Sequence, residues 1–143
     1  MLKIMNARLL KVLFVLLVCC SSLYVKAEPI VKFKPKSDKV VFRYSGSNVK
    51  ITGAEKEKDY NGFTIYKTTP GVDVVLTGDL RSFNCDSPII LGERISYLEI
   101  RDCPNLSEVI CSNNFMSDLI IENCPKLRWL QICKNQLDRK SVV

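Results

Sequence analysis

The 143-residue chain contains no histidine, which removes the commonest general base and the commonest neutral metal ligand. Asp79, Asp86, Glu99, Glu108 and Glu122 fall singly on expected solvent positions, and no paired-carboxylate arrangement or G-x-S-x-G step accompanies them. No catalytic residues are expected. The seven cysteines are the other side chains with chemistry to offer. They include no C-x-x-C pair of the kind that metal sites and redox motifs use, so neither a metal nor another cofactor is expected. Cys85 and Cys111 share one slot of a repeat, and Cys103 and Cys124 share another. Thiols at repeat-locked positions mostly behave as small buried hydrophobes. Strands about 4.8 Å apart would bring either pair within bridging range but poorly aimed, and spacing alone leaves open whether either pair bridges. Cys133 falls on an outward position and is the thiol expected to react or to pair between molecules.

What positions these residues is the repeat itself. Leu98-Glu99-Ile100-Arg101-Asp102-Cys103-Pro104-Asn105-Leu106, moved forward by 21 residues, lands on Leu119-Ile120-Ile121-Glu122-Asn123-Cys124-Pro125-Lys126-Leu127. Val109 then falls on Leu130, Cys111 on Ile132, Asn114 on Asn135 and Met116 on Leu137. Apolar residues locked to fixed slots at such a period mark a solenoid, each turn stacking on the one before. A shorter pattern is nested inside. Leu106-x-x-Val109-x-Cys111-x-x-Asn114-x-Met116 has the form L-x-x-L-x-L-x-x-N-x-L, and Met116-x-x-Leu119-x-Ile121-x-x-Cys124-x-x-Leu127 repeats it with Cys in the Asn slot. The L-x-L step predicts a strand with both apolar side chains inward. The Asn or Cys slot calls for a small polar or thiol group that meets backbone left free as the chain bends.

This pattern resembles the leucine-rich repeat in its short nested bacterial class. The resemblance implies a thin, flattened coil with a parallel strand on each side. Traced backwards, Leu80-x-x-Phe83-x-Cys85-x-x-Pro88-x-Ile90 matches the Leu106 to Met116 half, and Val72-x-Val74-x-x-Thr77-x-x-Leu80 matches Leu98 to Leu106. Five extra residues around Leu91 to Arg94 are expected to project as a loop. About three turns result, the first degenerate.

Ahead of the repeats, Ile30–Lys34, Lys39–Tyr44, Val49–Ile51 and Phe63–Tyr66 predict short strands. Ser45-Gly46-Ser47-Asn48 is expected to turn the chain, and the polar stretch Glu55–Gly62 ends in an Asn61-Gly62 step of hairpin type. The layout resembles the amino-terminal β cap of secreted internalin-like surface proteins, with Val74 to Cys85 as the junction where a cap strand becomes the first repeat. A cap would cover the apolar core and strand edge of a first turn. The resemblance is close over 72–137 and looser over 28–71. Lys32, Lys34, Lys36 and Lys39, alternating with Val31 and Phe33, are expected on a strand's solvated face or on an edge guarded against pairing.

Lys3, Arg8 and Lys11 precede the apolar run Val12–Val18, and Val25-Lys26-Ala27 offers a cleavage site. This is the layout of a secretory leader cut after Ala27; the apolar run is too short for a membrane span. A lipid-bearing Cys19 or Cys20 is the alternative, disfavoured by the Val18 and Cys19 that precede them. The leader holds Lys3, Arg8, Lys11 and Lys26 and no acid, so of the formal +6 about +2 remains on the mature chain. Most of the basicity is a targeting device, and nucleic acid is not an expected partner.

The expected organisation is therefore mainly β: a leader over 1–27, a β-hairpin cap over 28–71, leucine-rich repeats over 72–137 and a tail over 138–143. The last turn, ending on Leu130, Ile132 and Leu137, should leave its edge open, as in a shortened relative of longer proteins. Such a protein offers surface. On one face Glu108, Ile110 and Ser112 should stack beside Trp129, Gln131 and Cys133. On the other, Tyr97, Glu99 and Arg101 should stack beside Asp118, Ile120 and Glu122, with Arg101 and Glu122 paired. The expected binding surface is Ile110, Trp129 and Gln131, with Tyr97, Arg101 and Glu122 second, because a large outward aromatic often anchors a contact. The function that follows is a secreted or cell-surface binding module of adhesion type, with a protein or glycan ligand. The alternative is a degenerate repeat protein with a purely structural role.

Overall fold

The computed structural model describes residues 27–86 and 94–138. Residues 1–26 of the expected leader, Pro88, nearly all of the insertion before Arg94, and residues 139–143 lie outside the described residues. The protein is mainly β. Among the described residues nine strands form one mixed sheet: β1 (Ile30–Pro35), β2 (Lys39–Thr52), β3 (Ala54–Tyr60), β4 (Phe63–Thr68), β5 (Val74–Asn84), β6 (Ile95–Arg101), β7 (Glu108–Ile110), β8 (Asp118–Glu122) and β9 (Trp129–Gln131).

The carboxyl-terminal strands pair in the registers that the repeat offset predicts. β6 and β8 run parallel with Leu98 on Leu119 and Ile100 on Ile121. β7 and β9 run parallel with Val109 on Leu130. The chain thus alternates between two ladders, each strand pairing with the next but one. The Asn slot closes the bend between them. Asn114 accepts a hydrogen bond from the Ile95 amide at 2.9 Å and donates to the Ser112 and Cys111 carbonyls at 3.0 and 3.2 Å. One period later Asn135 accepts from the Met116 amide and donates to the Ile132 and Cys111 carbonyls. Cys103 and Cys124 do a thinner version of the same work, each thiol donating to the carbonyl two residues back.

The front half departs from expectation in three places. First, Ser45–Asn48 is no turn: β2 runs through it for 14 residues. It pairs β4 over Lys39–Phe42 and β5 over Arg43–Thr52, with bulges at Ser45/Gly46 and Ser47/Lys50. The small residues serve close approach instead. A Cβ on Gly46 would lie 2.2 Å from the Asp79 carbonyl oxygen, and one on Gly78 2.5 Å from that of Asn48. Second, Val74–Thr77 does not stack on β6. β1 lies between them, antiparallel to both, so only the later part of β5 joins the parallel order, with Phe83 on Val109. Gly78, at a φ of 116°, separates the two parts. Third, β1 is an interior strand, not a guarded edge. Its lysines keep the solvated face, while Val31 and Phe33 are fully buried. The edge strand of the front half is β3, whose Glu-Lys-Glu-Lys-Asp run is exposed and blunts pairing with other chains. A two-residue turn at Asn61 (φ 50°) and Gly62 (φ 78°) connects it to β4, a type I′ arrangement that Asn-Gly favours.

One core cluster joins both ladders and both halves of the chain. It includes Val31, Phe33, Phe42, Leu76, Phe83, Leu98, Ile100, Leu106, Val109 and Leu119. Phe42 stacks on Tyr66 at 4.2 Å and meets Phe33 edge-on at 5.4 Å. The core thins toward β9. Ile121 and Leu127 are partly buried against it, but Leu130, expected in the core, is 41% exposed. It has Val109 on one side and no described strand on the other.

Candidate functional site

The outward face of β1, β6 and β8 carries Lys32 and Lys34, then Tyr97, Glu99 and Arg101, then Asp118, Ile120 and Glu122 in the predicted lateral register. Arg101 makes the expected ion pair with Glu122 and also reaches Glu99. Glu99 is not the solvated charge that its slot suggested: it is 8% exposed. β1 pairs directly with β6, so Lys32 reaches over and forms an ion pair with it, and the Tyr97 hydroxyl donates to it at 2.6 Å. Hydrogen bonds from Lys32, Tyr97 and Arg101 outweigh desolvation and hold the Glu99 pKa down to about 2. Burial, and then donation to Glu99, push the Tyr97 hydroxyl up to about 12. Lys32 and Lys34 ammonium groups lie 5.7 and 5.9 Å from the centre of the Tyr97 ring. The second-choice residues Tyr97, Arg101 and Glu122 are thus brought together, but their polar groups are largely occupied by one another.

The other face is built differently. Ser82, Glu108 and Trp129 form one lateral row, and Asn84, Ile110 and Gln131 the next. Trp129 is 58% exposed, and Ile110 and Gln131 are half-buried beside each other. The Glu108, Trp129 and Gln131 side chains have no polar partner among the described residues. Ser112, expected outward, is buried, and its hydroxyl has no hydrogen-bond partner among the described residues. The chain bends inward there toward Asn114, which takes the Ser112 carbonyl. Cys133 is exposed, as its slot predicts.

Two features of the turns were not anticipated from the sequence. Asp102 and Asn123 both have a φ of 53°, and Asn113 and Lys134 have 57° and 55°. The left-handed backbone therefore recurs at the repeat period, at residues of which Asn and Asp tolerate it best. The turn side chains also stack. Asn105 donates to Asp79 and accepts from Lys126, Asn123 donates to Asp102, and Asn113 donates to Asp86, at 2.7 to 2.9 Å. The signal was present as the repeated Asp/Asn-Cys-Pro step and as the residue before the Asn slot, Asn113 and Lys134. Among the described residues no group of three or more Cys, Asp or Glu comes together to hold a metal. Comparison with protein-family models, with curated proteins and with solved structures finds no match to this chain.

Proposed function

We propose that this is an exported leucine-rich-repeat protein of internalin-like type that binds a protein or glycan without catalysis, through the face bearing Ile110, Trp129 and Gln131. The observation that carries the reading is the 21-residue lateral register of β6 on β8 and of β7 on β9. It turns a sequence repeat into rows of outward side chains, the geometry that repeat proteins use for extended recognition. Between the two faces the choice is physical. Arg101, Glu122 and Tyr97 would have to give up partners that they already hold, whereas Trp129 and Gln131 present an indole and an amide with no polar partner among the described residues. Tryptophan offers a large, rigid contact surface with one polar handle. Secretion or surface display, with the leader removed after Ala27 and no membrane span left behind, follows from the leader-like segment before Glu28.

Trp129 is the only tryptophan, so its emission reports directly on this face. The wild-type protein and Trp129→Ala are to be screened against a glycan array and a panel of immobilised extracellular-matrix proteins. Any hit is then titrated against both proteins by isothermal calorimetry, with Trp129 emission as a second readout for the wild type. The expected outcome is a wild-type signal that the variant loses by at least about tenfold, the scale of one hot-spot side chain, with an unchanged circular dichroism spectrum. A variant that binds as the wild type would move the site to the loop around Glu93 and Arg94.

A further inference from the structure

The two repeat-related cysteine pairs differ in what their sulfurs face. Cys103 donates to the Arg101 and Ile30 carbonyls at 3.3 and 3.6 Å, and Cys124 to the Glu122 carbonyl at 3.2 Å. Both thiols donate to backbone acceptors, and they are also near enough to interact with each other. Cys85 and Cys111 instead point at each other, with Sγ to Sγ at 2.7 Å. They follow directly on the Asn84–Ile110 pair of the parallel β5–β7 ladder, and the Cys85 amide donates to the Ile110 carbonyl at 2.9 Å. Adjacent strands sit about 4.8 Å apart, inside the Cα separation that a disulfide spans. Both side chains turn into the same buried core. The aim that strand spacing alone does not supply is provided by the inward bend of the chain after β5 and β7.

We propose that Cys85 and Cys111 are a disulfide-forming pair that staples the front of the fold to its first full repeat, while Cys103 and Cys124 remain thiols. The chemistry is thiol–disulfide exchange with a disulfide-bearing oxidant, such as oxidised glutathione or an oxidoreductase of an export compartment. One cysteine thiolate attacks the oxidant's disulfide, forming a mixed disulfide and releasing one thiol. The second cysteine thiolate then attacks the cysteine sulfur of the mixed disulfide and expels the other thiol. The two cysteines lose two electrons and two protons, and the oxidant becomes two thiols. Burial holds the Cys85 thiol protonated in the closed fold, so the exchange belongs to the folding chain, before the core shuts. Only the cellular source of oxidant rests on the proposed export.

The chain, purified from cells, is to be unfolded and refolded in a buffer of oxidised and reduced glutathione. It is then alkylated, digested with pepsin at acid pH and mapped by mass spectrometry. The expected map has Cys85 linked to Cys111 and alkyl groups on Cys103, Cys124 and Cys133. Added reductant should lower the thermal midpoint of the wild type but not that of Cys85→Ser. Alkylation of both Cys85 and Cys111, or a Cys103–Cys124 link in their place, would overturn the proposal. If Cys85→Ser does not fold, the wild-type map alone decides. A bridge that forms in the glutathione buffer but is absent from the chain as isolated supports the pair and counts against export.

Discussion

Glu99 concentrates the electrostatics of the molecule in one carboxylate. Its pKa is held at about 2 against an ordinary 4.5, so folding favours the charged form. The stabilisation is complete above the unfolded value and is lost as the pH falls from about 4.5 toward 2. At 1.36 kcal/mol per unit it amounts to about 3 kcal/mol. The thermal midpoint should therefore drop steeply over that window. Glu99→Gln should flatten this acid limb and lower the midpoint at neutral pH, where Lys32 and Arg101 lose a shared partner. Circular dichroism melts between pH 2 and 7 provide the check, and parallel profiles for the two proteins would show that Glu99 does not carry the effect. The repeat pattern put Tyr97, Glu99 and Arg101 on one face with Glu122 alongside, but not Lys32. Glu99 sits on an outward slot, and only the pairing of β1 with β6 places Lys32 beside it.

At the scale of the element, the Asn slot governs how one strand hands the chain to the next. Asn114 is 3% exposed and satisfies the Ile95 amide and two or more carbonyls at one bend. Replacing it by alanine leaves several buried polar groups without partners, at about 1–3 kcal/mol each. A loss of about 2–4 kcal/mol is expected in urea unfolding. Asn135 makes the matching bonds nearer solvent, so Asn135→Ala should cost clearly less. Equal costs would mean that the bend is not held by these amides. This role was legible in the sequence from the recurrence of a polar side chain at one slot. The left-handed turns at Asp102, Asn113, Asn123 and Lys134 recur with the same period, but nothing in hydrophobic periodicity reports φ. The Ser45–Asn48 stretch misleads for a related reason: small residues permit a turn and a close strand approach equally.

Across the whole molecule, burial is graded along the stack. Leu119 is 1% exposed and Leu130 41%, though both occupy the same kind of apolar slot. Leu119→Ala is expected to cost about 2–5 kcal/mol, the range for a fully buried leucine. Leu130→Ala should cost less than about 1.5 kcal/mol, since much of its side chain is already in water. Denaturant midpoints of the two variants measure the difference, and a Leu130 cost equal to that of Leu119 would mean that the β9 edge is covered in solution. The same edge exposes Trp129, so the proposed binding face and the thinnest part of the core share one strand.

The sequence by itself determined the β character of the chain, the 21-residue registers of β6 on β8 and β7 on β9, the inward and outward assignment of Leu98, Ile100, Val109 and Leu119, and the hairpin turn at Asn61-Gly62. These are local or periodic properties, carried by side-chain alternation and by offsets that need no knowledge of distant partners. Only the tertiary structure decided the insertion of β1 between β5 and β6, the passage of β2 through Ser45–Asn48, the burial of Glu99 and Ser112, and the exposure of Leu130. It also brought the Cys85 and Cys111 sulfurs to 2.7 Å of each other, while the Cys103 and Cys124 thiols each donate to a backbone carbonyl. Each of these depends on which strand lies alongside, and β1 is 60 to 71 residues away in the chain from the β6 partners it meets. Alternation tells a residue which way to point; the neighbour it finds there is set by how the whole chain closes around one core.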